Sequence, residues 1–227
     1  MTLSGSLFAQ LVAGSTGALL LTAVLLVWVG PLTGSIRLLA VQGVALAALV
    51  ATVSVSSGQA LRGGRAELAV VALVVLGIKG VAIPWVLART ARATGVRAQE
   101  PPLVGATVAV LAAALLTMLA YVVSQAVVDV IPGPAPRAVP VGVALTLIGF
   151  FVLMTRRHAL AQLVGFVVLD NGIAAVAFLT AGGVPLVVEV GVSLDVLLVV
   201  LILRVLTARI QLAFGAADLD DLTELRD

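Results

Sequence analysis

The sequence predicts an all-α protein, a polytopic transmembrane helical bundle of about seven helices, and three observations lead there. Across 227 residues, 62% are apolar and only 11% are charged, far outside the range of water-soluble domains. The mean hydropathy is +1.25, and the apolar residues gather in runs of about 20, the length at which a helix crosses a hydrocarbon core. Aromatic residues are 4% of the chain, so its apolar mass is Ala, Val and Leu. That suits close-packed helices and not a membrane barrel, whose strands alternate polar with apolar.

Taken in order, the first span runs from Ser4 to Val29 and ends at Gly30-Pro31, a turn signal. The second covers Ile36 to Val55. The third, Glu67 to Leu87, follows Gly63-Gly64 and opens with Glu67 near Arg62 and Arg65, where a carboxylate favours the positive end of a helix. The fourth, Leu103 to Val128, starts after Pro101-Pro102. A proline-rich stretch, Pro132 to Pro140, separates it from the fifth, Val139 to Met154, which is the shortest; a six-helix reading would demote this one. The sixth spans Leu160 to Thr180 and the seventh Val184 to Leu206.

Residues 1–210 thus form a single transmembrane domain, and 211–227 a short cytoplasmic tail, acidic and polar from Ala216 onward. Only the 89–102 loop and the Asp129 to Arg137 connection exceed a turn, so no extramembrane domain fits. No basic stretch precedes the first apolar run, which is longer than a signal-peptide core, so it reads as a retained helix. Alternating the loops puts Arg37, Arg89, Arg92, Arg97, Arg156, Arg157, Arg204 and Arg209 on one side, against Arg62, Arg65 and Arg137 on the other. By the positive-inside rule the N-terminus is outside, the C-terminus inside, and the chain multi-pass in the plasma membrane.

The chain has no cysteine, which excludes a cysteine-ligated iron–sulfur cluster, a thiol redox centre and a disulfide framework within it. Its net charge is +2 with the arginines dispersed, so nucleic-acid binding has no support. No metal cluster, nucleophile triad or phosphate-binding glycine loop is visible, and catalysis by this chain alone, or a cofactor of its own, is not expected.

The informative residues are those hydropathy forbids: Lys79 in the third span, Asp170 and Asn171 in the sixth, Glu189 and Asp195 in the seventh. A charge at a helix centre costs roughly 2.5 to 3.5 kcal/mol on insertion scales. Lys79, Asp170 and Asp195 would together cost on the order of 8 to 10 kcal/mol against lipid, so they must face protein or water. Lys79 is the only lysine, and an ammonium gives up its proton on desolvation far more readily than a guanidinium. With Asp170 and Asp195 at the same depth it could form a lateral polar path for protons. The bland alternative is a buried ion pair, Lys79 with Asp170 or Asp195, that only fixes packing.

Glu189 sits one turn inside its helix and could instead snorkel to the interface. Gln42 lies in the second span; His158 and Gln162, four apart on one helix face, are interfacial residues or a proton access point. Gly142, Gly149, Gly165 and Gly172 look like helix-packing positions.

The run from Thr146 through Gly149, Arg156-Arg157-His158, Gln162 and Gly165 to Asp170-Asn171-Gly172 resembles the E-type membrane component of hydrogenase-4 and formate hydrogenlyase-type complexes. More distantly, the last three helices, about 139–206, are similar to the K-type small subunit of respiratory complex I and to the C subunit of Mrp-type antiporters. The hydrogenase family carries Glu-Asn-Gly where this chain has Asp170-Asn171-Gly172, a departure of one methylene. Its next helix is similar to Val188 to Asp195, with both acids in place, and its lysine followed by a proline is similar to Lys79 to Pro84, with Gln42 on the preceding helix.

The resemblance implies a non-catalytic subunit in the membrane arm of a complex I-related oxidoreductase. It would sit beside antiporter-like subunits and a peripheral redox module of hydrogenase or dehydrogenase type, with cofactors in those other subunits. Lys79, Asp170, Asp195 and Glu189 would carry proton or sodium movement, supported by Gln42, His158, Gln162 and Asn171. Two other readings stand beside it: an autonomous secondary transporter, against which no convincing inverted repeat is found, and a purely structural scaffold.

Overall fold

A computed structural model of the chain describes residues 5–56, 64–93, 103–131, 133–157 and 159–181. Among the described residues every regular element is helical: α1 (Gly5–Trp28), α2 (Leu32–Ser56), α3 (Gly64–Val75), a π turn (Leu76–Ala82), α4 (Ile83–Ala93), α5 (Ala106–Val130), α6 (Val139–Thr155) and α7 (Ala159–Ala181), with a 3-10 turn, Pro136–Ala138, before α6. Six helical stretches of the described residues are long and apolar enough to cross a membrane. They coincide with the first six predicted spans to within a few residues at most ends. The seventh predicted span, Val184 to Leu206, lies outside the described residues, with Glu189, Asp195 and the tail.

The fifth predicted span keeps its place. Its 3-10 turn supplies the first turn, and the stretch Pro136–Thr155 reaches 20 residues, enough for a hydrocarbon core of about 30 Å. Pro140 sits in the first turn of α6, where the missing N–H costs no helical hydrogen bond.

The third span is one continuous rod, α3–π–α4. Pro84 near the start of α4 has no N–H to give, and its ring crowds the carbonyl four residues back, that of Gly80. The helix widens just before it: the Ile83 N–H donates to the Ile78 carbonyl, a five-residue step that marks a π turn. Lys79 falls in the middle of that turn. At the far end of α4 the Arg89 guanidinium lies 5.6 Å from the centre of the Trp85 ring, a cation–π pair.

Glycines set the closest packing. A Cβ on Gly165 would come 2.5 Å from the Leu153 N, and one on Gly142 would come 2.8 Å from a Val176 methyl. Gly149 and Gly172 meet the Leu169 and Thr146 backbones as closely, so α6 and α7 are zipped along their length by four small residues, two on each helix. The α2 helix is central, packing on α1, on the whole third span and on α7. By contrast, among the described residues α5 rests mainly on α1, α6 and the 3-10 turn, and its outer face of Val108, Leu111, Leu115, Met118 and Val122 is left exposed by them. Only 17% of its most apolar stretch is buried, against 67% for α7; an apolar exterior of this kind is what lipid requires.

Candidate functional site

The polar residues of the core collect halfway along their helices. Gly43 of α2 and Gly80 of the π turn touch backbone to backbone, which brings their sequence neighbours Gln42 and Lys79 into the interior. Lys79 is 1% exposed and is among the largest fully buried side chains. Its Nζ lies 2.8 Å from Oδ2 of Asp170, the central residue of α7. The contact is an ion pair rather than an aligned hydrogen bond. Such a pair leaves the interior with no net charge, and removing either partner would strand the other.

An amide bridge runs alongside. The Asn171 Nδ2 donates to Gln42 Oε1 at 3.0 Å, and Gln42 Nε2 reaches the Leu19 carbonyl of α1 at 3.5 Å. The direction of this chain follows from its end: a carbonyl only accepts, so Gln42 must turn its NH2 toward Leu19 and its oxygen toward Asn171. Asn171, fully buried, then presents an Oδ1 with no hydrogen-bond partner. Ion pair and bridge together tie α1, α2, the third span and α7 at one level.

Chemically, the ammonium and carboxylate can exchange a proton without leaving charge behind, since Lys-NH3+ with Asp-COO− and Lys-NH2 with Asp-COOH are both neutral overall. Four buried hydroxyls of α1 and α2 add nothing to this: Ser15, Thr16, Thr22 and Thr52 donate to carbonyls three or four residues back in their own helices, which is how hydroxyls are satisfied in lipid.

Of the eight predicted site residues, four meet here: Lys79 with Asp170, and Gln42 with Asn171. Gln162 does not. Its Nε2 donates to the Arg156 carbonyl at 3.0 Å, closing the α6–α7 turn, and it stands eight residues, about 12 Å of helix rise, from Asp170. His158, Glu189 and Asp195 lie outside the described residues. Among the described residues no group of three or more His, Cys, Asp or Glu side chains could hold a metal ion.

Sequence reasoning assigned Arg156 only to topology. In the structure its Nη2 donates to the Leu26 and Val29 carbonyls, at 3.3 and 3.2 Å, so a side chain from the α6–α7 turn caps the C-terminal end of α1. Those carbonyls have no helical donor and carry the negative end of the helix dipole. Burial lowers the guanidinium pKa from its ordinary value. The signal that could have found it is the absence of any basic residue in the last turn of α1.

No family model matches the chain, and no solved structure matches it. It is 29% identical to the hydrogenase-4 component E of Escherichia coli K12 over 145 residues, 63% of this chain and 67% of that protein, and equally to that of Shigella flexneri. This is a distant relation. A mycobacterial relative is 44% identical over 226 residues, 99% of this chain and 100% of its own length. The chain therefore belongs to the family of the uncharacterized protein Rv0085 of Mycobacterium tuberculosis.

Proposed function

We propose that the chain is a membrane-arm subunit of a complex I-related oxidoreductase of group 4 hydrogenase type. In this reading its buried charges take part in proton or sodium translocation driven by redox chemistry in other subunits. The observation that carries the reading is the Lys79–Asp170 pair, 2.8 Å apart in the core. The distant likeness to hydrogenase-4 component E supports its setting. Lys79 and Asp170 would hand a proton between them, the Gln42–Asn171 bridge would hold α2 and α7 in register, and the acceptor left on Asn171 would bind the next water of the path. Asp195 and Glu189, with His158 nearer the cytoplasmic face, would continue it.

The proposal extends to one transmembrane domain over residues 1–210 and a cytoplasmic tail over 211–227, in the plasma membrane with the N-terminus outside. Partners would be antiporter-like membrane subunits and a peripheral redox module, whose cofactors this chain would not share. The kinship with the complex I K-type and Mrp C subunits is part of the same proposal.

A second reading has one observation in its favour: Lys79 and Asp170 touch directly, and a closed pair can serve packing alone. Two experiments decide. Affinity purification of the tagged protein from its native membrane in mild detergent should bring down antiporter-like subunits and a redox module, identified by mass spectrometry; a clean monomer or homodimer would favour an autonomous transporter. In Asp170→Asn complexes first shown to keep their full subunit composition, redox-driven proton or sodium movement per complex should fall at least tenfold. Normal pumping by that variant would leave only the scaffold.

A further inference from the structure

A groove of about 400 Å3 opens between α1, α5 and the 3-10 turn that leads into α6. Along α1 it extends from Ala9 to Leu20, eleven residues or about 16 Å of helix rise, close to the depth of one leaflet of a hydrocarbon core about 30 Å thick. Its floor is made by Ala9, Ala13 and Gly17, spaced by four on one face of the helix. A Cβ built on Gly17 would meet no atom within 4 Å, so the trough there is open space.

The mouth is polar. Arg137, in the 3-10 turn, lines the groove and is exposed, and among the described residues no carboxylate forms an ion pair with it. The carboxylate of Asp129, exposed in the last turn of α5, is not engaged with it either. Tyr121 of α5 forms part of the facing wall.

An apolar trough one leaflet deep with an exposed guanidinium at its mouth has the chemistry of an acyl chain below a negatively charged headgroup. A transmembrane helix of a neighbouring protein fits less well. At about 10 Å in diameter a whole helix is too wide to enter it and could only lie across its mouth. We propose that this groove binds one acyl chain of an anionic phospholipid, with the headgroup phosphate held by Arg137. The site is separate from the Lys79–Asp170 core and does not depend on the role given to that pair.

The test uses the purified, delipidated full chain in detergent, with phosphatidylglycerol or phosphatidylcholine of identical tails added and retention read by native mass spectrometry. The wild type should retain phosphatidylglycerol at least tenfold more tightly. Arg137→Gln should abolish the preference and Arg137→Lys should keep it. Gly17→Leu, which fills the trough without meeting another atom at its Cβ, should weaken both lipids about tenfold while helicity and gel-filtration behaviour stay unchanged. Equal retention of the two lipids, a preference that survives Arg137→Gln, or binding indifferent to Gly17→Leu would each overturn the assignment. So would a photo-crosslinker at Ala13 that captures a protein rather than lipid in the native membrane.

Discussion

Gly43 of α2 and Gly80 of the π turn share a backbone contact so close that a Cβ on Gly43 would lie 2.6 Å from both Cα and N of Gly80. This contact seats Lys79 opposite α7, because no larger residue lets the two helices approach to that distance.

Gly43→Ala must push α2 away from the third span. A loss of about 1–3 kcal/mol is expected from overpacking alone, read as a lower unfolding midpoint in detergent. Gly77→Ala, in the same π turn but with open space around its Cβ, should lose nothing and serves as the control.

The ion pair predicts strong coupling. Lys79→Met or Asp170→Leu singly should destabilise the bundle by about 3–5 kcal/mol, since each strands a buried charge, whereas the double variant should recover most of that loss. A double-mutant cycle on thermal or denaturant unfolding measures it; additive single effects would mean that the two side chains do not depend on one another.

Arg156 predicts a geometric rather than an electrostatic requirement. Arg156→Gln should cost about 1–3 kcal/mol by uncapping Leu26 and Val29. Arg156→Lys should recover only part of it, because the lysine nitrogen ends one bond short of the Nη2 that reaches both carbonyls. The measurement is the unfolding midpoint, with protection of the Val29 to Ser35 segment from proteolysis as the local readout. The guanidinium stays charged across the pH range in which the protein is handled, so the difference between variants should not change between pH 6 and pH 9.

The spans were legible because lipid imposes one solution on the backbone and about 20 apolar residues announce it. Ser4 to Val29 differs from the observed α1 by one residue at each end, and Val139 to Met154 differs from α6 by one residue at its C-terminal end. Lys79 and Asp170 were legible as exceptions to that rule. Their pairing was not, because it depends on the rotation of two helices about their axes, and that rotation is set by contacts such as Gly43 on Gly80 which a linear pattern does not encode. The same holds for Asn171, whose neighbour Asp170 turns to the third span while Asn171 itself turns to α2. Pro84 was visible in the third span, but a proline alone does not say whether a helix bends or widens into a π turn. Gln162 shared a helix with Asp170 in the sequence reading, yet helical rise alone separates them by two turns.

The closed Lys79–Asp170 pair carries no net charge, so the voltage across a membrane exerts almost no force on it. Once the lysine proton leaves toward one side, the carboxylate left behind is a bare charge in the electric field. If it stands halfway across, a potential of 100 mV acts on it with about 1.2 kcal/mol, enough to bias the proton's direction of return roughly eightfold. The pair would then be electrically silent at rest and voltage-sensitive only during the brief interval in which it is open.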